Sequence, residues 1–592
     1  MKSTIKLVLC VILTLSVLLT SCGTGRISDE SSLSVSDTSA SEDSSAISET
    51  GDDSSYADDS SDSSAETSEE EPEFLRNEIY FDDIVYETPD FDEIYRKIAS
   101  VQSLFDEEAD SEEIKNEFEI LVELMWDVST ACGLLSIIQS LDTTDTEISD
   151  ELVILSENFT NAQKYYYKLA VTLLDSYCSD IVFAECTDTE KEEIRENALL
   201  IDDEYVSLTA ELTELQNKYI DHLSLTIYAE GKEMTLQEVM DTYGYYNYIR
   251  ALNYVGGEIY LDLVKKYKTI AVKAGYETYA DYAYNNEYYR DYTVNDSKKL
   301  HAYVKEYIAP LYAQLSNKVS YFNSAGESNP FDYEDIILAY SSTMSEDMVN
   351  AYKYMKKYGL YSIDDNAVKQ VGAYTTYLYS YDIPFIFQHT SGNYSDIQTF
   401  IHEFGHFYAY YLHGPDLPFM IDIDEIHSQA NELLFLPYYA EIYGESACEK
   451  ITLFELYSNL DSIISGCLFD EFEQAVFAGE YDSVEELNAL YVSICEEYGI
   501  TNVSEYGWVR IQHLFLYPFY YISYAVSLIP SLEIYSASID ERDIGIAMYN
   551  ELLEESLNCT GFMDLMNNSG FANPFDEATI IDIAETVKNL IN

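Results

Sequence analysis

The chain has 592 residues, too many for one compact core, and 47% of them are hydrophobic, enough to fill more than one folding unit. Its formal charge of −77 at pH 7 excludes nucleic acid as a partner, because a phosphate polyanion is repelled over most of such a surface. The same charge disfavours close contact with an anionic membrane except through a covalent anchor.

The N-terminus MKSTIKLVLCVILTLSVLLTSC places Lys2 and Lys6 ahead of an apolar run of secretory type, too short for a comfortable membrane span. Leu19-Thr20-Ser21-Cys22 resembles the lipobox of bacterial lipoproteins. That resemblance implies a signal peptide over residues 1–21 and a lipid anchor on Cys22, the only route by which a membrane is expected to be engaged. An ordinary signal peptide cut nearby is the alternative. Removing residues 1–21 takes away two lysines and no acid, so the charge moves from −77 to −79. From residue 22 to about 75 the composition narrows to Ser, Asp, Glu, Thr and Ala. Such a segment cannot bury enough to offset ordering entropy, so an extended, disordered acidic stalk is expected there.

Folded sequence begins near NEIYFDDIVYETPDFDEIYRKI. An N-terminal helical domain is expected over residues 76–205 and a second domain over 206–592. EEIKNEFEILVELMWDVSTACGLLSIIQSL, SENFTNAQKYYYKLAVTLLDSY and the long KEEIRENALLIDDEYVSLTAELTELQNKYI carry apolar residues at three- and four-residue spacing and read as amphipathic helices. Only 11 prolines in the whole chain also favour helix. The best strand candidate is YDIPFIFQ, Tyr381 to Gln388. The abundant tyrosines read as helix packing with hydroxyls at the rim. Seven cysteines follow Cys22, none in a CxxC pair, so neither a disulfide framework nor a thiolate metal site is indicated. They read as small buried hydrophobes, with a Cys178–Cys186 bridge the open alternative.

The chemistry is concentrated in TFIHEFGHFYAYYLHG. Ser395-x-x-Gln398 reads as a capping box and His413-Gly414-Pro415 as a stop, predicting a helix from about Asp396 to Leu412. His402 and His406, at i and i+4, then project from one face where both imidazoles can reach one metal ion. Glu403 is placed to hold and deprotonate a water activated by that metal. A chain with eight histidines holds HExxH by chance roughly once in a hundred such chains, which favours a zinc site over two packed histidines. In so acidic a chain a downstream glutamate is guaranteed, so its mere presence decides nothing. The local pattern IDIDEIHSQANELLFLPYY does decide: Glu425 and Glu432 lie two turns apart on one stripe. Glu425 can complete a His, His, Glu ligand set, and Glu432 can accept a hydrogen bond from the outer nitrogen of a ligating imidazole. His427 points to another face and reads as structural. His413 reads as a cation or cap of the last turn. In WVRIQHLFLYPFYYISYAVS, residues His513, Tyr517, Tyr520 and Tyr524 share one helical stripe, with Pro518 as a kink. They could donate to an oxyanion, or could be an aromatic helix in the core.

TFIHEFGHFY, DEIHSQANE and QHLFLYPFYYISYA, in that order, resemble the thimet oligopeptidase and oligoendopeptidase F family of zinc peptidases, the bacterial oligoendopeptidase branch above all. Weaker similarity extends from FDDIVYETPDFDE to GFMDLMNNSGFANPF. The resemblance implies a mainly α fold, two helical lobes around a deep substrate channel with a small β-sheet near the zinc site. It implies one Zn2+ per chain on His402, His406 and Glu425, with Glu403 as general base and then proton donor. His513 and Tyr520 or Tyr524 would position substrate and stabilise the oxyanion, with Tyr517 and Tyr521 as alternatives. The strand at Tyr381–Gln388 would be the edge that pairs with the substrate backbone. The expected activity is hydrolysis of internal bonds of short peptides by a monomer anchored at the bacterial cell surface. The alternative is a lipoprotein that captures peptides or metal without cleaving them.

Overall fold

A computed structural model describes residues 73–224, 226–229, 232–319, 329–418 and 420–591. The expected signal peptide, the Cys22 anchor and the stalk as far as residue 72 lie outside these residues. The last three stalk residues, 73–75, do not behave as stalk. Phe74 packs 5.3 Å from the Tyr354 ring, and the Leu75 N–H donates to Tyr411 Oη. Arg76 then anchors this entry to the body, donating to the carbonyls of Tyr411 and Leu412.

Acidic residues start most of the N-terminal helices. The carboxylates of Asp90, Asp110 and Asp145 accept first-turn N–H groups of α1 (Phe91–Asp106), α2 (Ser111–Leu141) and α3 (Thr146–Leu174). The segment read as one long helix from Lys191 to Ile220 is two, α4 (Asp188–Leu200) and α5 (Asp203–Ser224). Asp202 makes the break, its Oδ1 accepting the N–H groups of Glu204 and Tyr205 at 3.0 Å each. The expected domain boundary at 205/206 therefore falls inside α5. A hairpin of β1 (Thr226–Ala229) and β2 (Lys232–Thr235) leads on to α6 (Tyr245–Lys273), which packs against α5. A cavity of about 1020 Å³ opens beside α6, lined by Asn253, Ile259, Val484 and Asn488 among others and by none of the predicted site residues.

The sheet has three strands, β3 (Tyr361–Asp364), β4 (Ala373–Leu378) and β5 (Ile383–His389), in the order β3-β5-β4. β5 pairs parallel with β3 and antiparallel with β4. The strand expected at Tyr381–Gln388 is thus β5, but it is the central strand. Its apolar run Ile383, Phe385, Ile386 and Phe387 is fully buried, the pattern of a strand covered on both faces. The edge facing the histidine helix is β4.

That helix is α7 (Ser395–His413). Its expected capping box is absent. The Ser395 hydroxyl donates to Asn393 Oδ1, and Gln398 turns inward to donate to Glu432 and Glu455. The turn is instead organised by Asp396, whose carboxylate accepts the N–H groups of Ser391, Gly392 and Asn393. α8 (Ile421–Phe435) lies between α7 and the helix Ile522–Asp540, which also packs on α9 (Glu445–Ala478). α7 and α8 meet at Gly405, where a Cβ would sit 2.6 Å from the His427 carbonyl oxygen and 2.9 Å from Ser428 Cα.

The segment from Trp508 to Ser527 is not one helix. α10 (Gln512–Leu516) ends at Tyr517, and α11 (Ile522–Asp540) starts after a turn in which Phe519 has φ +69°. Pro518 breaks the helix rather than kinking it, because it supplies no N–H to continue the ladder. α2 and α11 are long and apolar enough to cross a membrane by length and composition, but 78% and 72% of their most apolar windows are buried in the core. Neither Cys178 nor Cys186 is in a disulfide, so the bridge between them is not formed.

The Gly405 crossing gives a direct test. Gly405→Ala inserts a methyl group against backbone that cannot rotate away, at a cost of about 1–3 kcal/mol. Calorimetry should show a lowered unfolding temperature together with weaker metal retention; an unchanged transition would mean that α7 and α8 can part freely.

Candidate metal centre

α7 brings His402, Glu403 and His406 to the crossing, and α8 brings Glu425 and Glu432; four of the five side chains are buried and Glu432 is only slightly exposed. One ligand atom each from His402, His406 and Glu425 lie within 4.8 Å of one another. The two imidazole rings stand 5.0 Å apart at 79°, and His402 Nε2 lies 3.5 Å from Glu425 Oε2. His402 Nε2, His406 Nε2 and Glu403 Oε1 are buried and make no hydrogen bond. Buried polar atoms without a hydrogen bond are costly, and a cation held by His402, His406 and Glu425 would satisfy the two imidazole nitrogens. The donor set of two imidazole nitrogens and one carboxylate fits a divalent ion of the borderline kind, and no other His, Cys, Asp and Glu cluster among the described residues does so.

The surrounding residues fix these donors. Glu432 Oε1 lies 2.6 Å from His402 Nδ1, which holds the ring's proton on that side and turns Nε2 toward the centre. Gln398 donates to Glu432 and also to Glu455, which accepts from Tyr394. The Ser428 hydroxyl lies 3.1 Å from Glu425 Oε2, and the Tyr520 hydroxyl donates to Glu425 Oε1 at 2.7 Å. From the β4 edge, Thr375 Oγ1 lies 2.8 Å from Glu403 Oε2, leaving Oε1 directed elsewhere.

Charge balance separates the two histidines. Burial lowers the basicity of both, but for His402 the hydrogen bond and charge of Glu432, with Glu425 and Glu403 behind it, outweigh that penalty and lift the imidazole to about 9. His406 has no such partner, and burial with the His402 charge keeps it well below the usual histidine range, so it is neutral. Burial raises the Glu403 carboxyl to about 8 and Glu425 above the usual carboxylate range.

The aromatic group assembles although its helix is broken. His513 Nε2 and Tyr524 Oη lie 3.2 Å apart, and the His513 ring is 5.1 Å from that of Tyr520. Burial pulls His513 down to about 4, so it is a neutral imidazole at ordinary pH. Tyr520 is the member that touches a metal-ligand candidate; Tyr517 is 6.3 Å away from the His513 ring, centroid to centroid. His427 is apart from the cluster, with Nε2 3.0 Å from Ser556 Oγ. His413 is no terminal cation, since burial depresses it below the usual value. Three positions carry no sequence signal for their part here. Thr375 is one threonine of a strand, Glu455 is one acid among many, and Gln398 reads as a cap.

Comparison with known proteins agrees with this architecture. Residues 81–185 match the family model for the peptidase M3 N-terminal domain. Oligopeptidase PepF of Bacillus subtilis (strain 168) is 26% identical over 233 residues, covering 36% of this chain and 33% of that protein. An oligoendopeptidase F homolog of Lactococcus lactis subsp. lactis (strain IL1403) is 30% identical over 181 residues, 28% of this chain and 29% of its own. The chain thus spans about a third of the length of these curated relatives. The crystal structure of a putative oligoendopeptidase F from Bacillus anthracis str. Ames superposes with a TM-score of 0.73 at 22% identity, over 87% of this chain and 98% of that one. The chain is thus similar to oligoendopeptidase F proteins, and residues 81–185 resemble a peptidase M3 N-terminal domain. Its mainly helical fold of two lobes with a small sheet is the oligoendopeptidase F fold.

The metal centre predicts its own pH dependence. In the metal-free protein His402 is protonated at neutral pH, and a cation can take its nitrogen only by displacing that proton. Affinity should therefore rise as pH climbs toward 9 and fall below neutrality. Titration calorimetry in buffers of different ionisation enthalpy should find net proton release at pH 7; none would contradict the charge state of His402. Glu432→Gln should weaken metal binding by about 10–100-fold.

Proposed function

We propose that this chain is a zinc-dependent oligoendopeptidase that hydrolyses internal bonds of short peptides. The observation that carries this reading is that ligand atoms of His402, His406 and Glu425 lie within 4.8 Å of one another, with His402 Nε2, His406 Nε2 and Glu403 Oε1 buried and making no hydrogen bond. The relatives named oligopeptidase and oligoendopeptidase support the same class of substrate.

Bound at His402, His406 and Glu425, zinc supplies the Lewis acidity that activates water and polarises a carbonyl. The protein supplies the rest. Glu403, raised to about 8 and held at Oε2 by Thr375, is a base poised near neutral pH whose free Oε1 takes a proton from the attacking water. The same carboxyl then returns that proton to the departing amine. Neutral His513 and the hydroxyls of Tyr520 and Tyr524 are the hydrogen-bond donors available to a carbonyl oxygen that gains charge. Among the three, Tyr520 lies against the ligand carboxylate, and its single O–H proton would turn from Glu425 to the carbonyl oxygen as that oxygen gains charge.

Substrate would lie along the β4 edge, whose Thr375 contacts Glu403, rather than along the central β5. The deep channel between two lobes that the family resemblance implies would admit only short chains, which would account for an oligopeptide preference. With the lipobox at Leu19–Cys22, the same reading makes the enzyme a lipid-anchored monomer at the bacterial cell surface, the acidic stalk holding it clear of the membrane. The rival reading, a lipoprotein that binds peptide or metal without cleavage, leaves Glu403 and its free oxygen without a purpose.

Quenched fluorescent peptides of graded length, assayed with and without chelator, test the proposal. Chelator-sensitive internal cleavage confined to the shorter peptides is expected. Glu403→Gln should lower kcat by about 10²–10⁴-fold while elemental analysis still finds one zinc per chain. Turnover near the wild-type rate in that variant would sink the mechanism, and no cleavage at any length would favour the binder.

A further inference from the structure

We propose that Glu473 is a positioning residue for Tyr520, holding the Phe519 backbone in the turn from which the Tyr520 hydroxyl reaches Glu425. The kinetic half of this proposal rests on the peptidase function proposed above; the positional half does not.

The turn between α10 and α11 has to deliver Tyr520 to the metal centre although it contains a helix-breaking Pro518 and a Phe519 at φ +69°. A bulky residue with a Cβ is disfavoured in that left-handed region and persists only where its surroundings over-determine it. The surroundings are visible. Tyr517 N–H donates to the His513 carbonyl at 2.7 Å, and Tyr520 N–H to the Tyr517 carbonyl at 3.0 Å. Gln216 donates to the Leu516 carbonyl at 3.1 Å, and Tyr288 Oη to the Pro518 carbonyl at 3.0 Å. The Phe519 N–H, at the strained residue itself, donates to Glu473 Oε2 at 2.9 Å.

Glu473 belongs to α9 and is 1% exposed, with Oε1 making no hydrogen bond. A buried carboxyl with one directional bond is a poor packing element, so its presence points to that bond. Burial holds this carboxyl well above the usual carboxylate range, so a neutral amide is its matched replacement. α9 also fixes the far side of the turn. A Cβ on Gly466 would lie 2.9 Å from the Tyr521 carbonyl oxygen, so the two backbones are in direct contact there. The helix thus grips the turn at Phe519 and at Tyr521, on either side of Tyr520. From Tyr520 the next link is the 2.7 Å hydrogen bond to Glu425.

Glu473→Gln, which keeps a carbonyl acceptor for Phe519, Glu473→Met, which keeps length without an acceptor, and Tyr520→Phe separate positioning from general support. In crystal structures of the metal-free proteins, Tyr520 Oη should remain within hydrogen-bond distance of Glu425 in wild type and E473Q and leave it in E473M. An unmoved Tyr520 in E473M overturns the proposal whether or not the protein cleaves peptides. In the peptide assay E473M should lower kcat by roughly 10–100-fold with KM little changed, the scale of an ångström-level misplacement. E473Q should stay within about threefold of wild type, and E473M should cost less than about twofold more when Tyr520 is already Phe. A full multiplicative loss in the double variant, or E473Q as impaired as E473M, also overturns it. Should E473M fail to fold, Glu473→Ala, with room for water, carries the same expectations. A wild-type protein that cleaves nothing refutes the peptidase reading alone, since the crystal structures still decide the position of Tyr520.

Discussion

The close crossing of α7 and α8 at Gly405 is the constraint on which the rest of this molecule turns. Two candidate ligands come from one helix and the third from the other, so their donor atoms can converge within 4.8 Å only if the helix backbones nearly touch. A glycine in the middle of a helix is unfavourable by local propensity, roughly 0.5–1 kcal/mol against alanine. Any Cβ at this position would come within 2.6 Å of the His427 carbonyl oxygen, which explains why that cost is borne. Further bonds lock the same crossing: Asn431 donates to the Ile401 carbonyl at 2.7 Å, and Glu432 meets His402. The central glycine of HEFGH is therefore as much a part of the centre as the histidines beside it.

Around that crossing the layers follow in order. The sheet lays its edge strand β4 on α7, which puts Thr375 on Glu403. α11 lies against the other side of α8, and the turn before it brings Tyr520 to Glu425. The N-terminus of α8 is pinned by a buried ion pair between Arg290 and Asp422, to which Tyr292 adds a hydrogen bond at 2.8 Å. Truncating either partner of such a pair leaves a desolvated charge, so its value lies in fixing one geometry more than in net stability. Arg290 also stacks on Tyr288, the residue that grips Pro518, so α8 and the Tyr520 turn share one support.

How much of this was legible in the sequence depended on the range of the interactions. The spacing of His402 and His406 is local, and a helix turns it into geometry with no outside help; Glu425 and Glu432 follow by the same periodicity. The Tyr381–Gln388 strand was legible as a strand because of its apolar run, but its central place in the sheet depends on partners β3 and β4, which leave no mark in the run itself. The aromatic stripe is the instructive case. Helical spacing groups His513, Tyr520 and Tyr524, and the structure does bring them together, yet through a broken turn rather than a continuous helix. Pro518 carries the signal of that break, which is sharper than the kink expected of it. The Ser395 capping box failed because Gln398 has better partners in the interior, and the break at Asp202 was hidden because an aspartate in an acidic stretch attracts no notice. Thr375 and Glu473 act through single contacts to distant segments, which no pattern in one sequence can reveal.

The acidity of the chain takes on a local meaning at the centre. Glu403, Glu425 and Glu432 gather around the His402 imidazole, and burial raises Glu403 and Glu425 because water is not there to solvate their charge. The single compensating charge among them is the extra proton on His402, which those carboxylates themselves hold in place. A divalent cation held by His402, His406 and Glu425 would replace that proton with greater charge, and so would lower the cost of the carboxylates around it. The centre would accordingly be better balanced in charge with a cation than without one. That difference, rather than the geometry of any one ligand, is what makes the same residues a poor core and a good metal site.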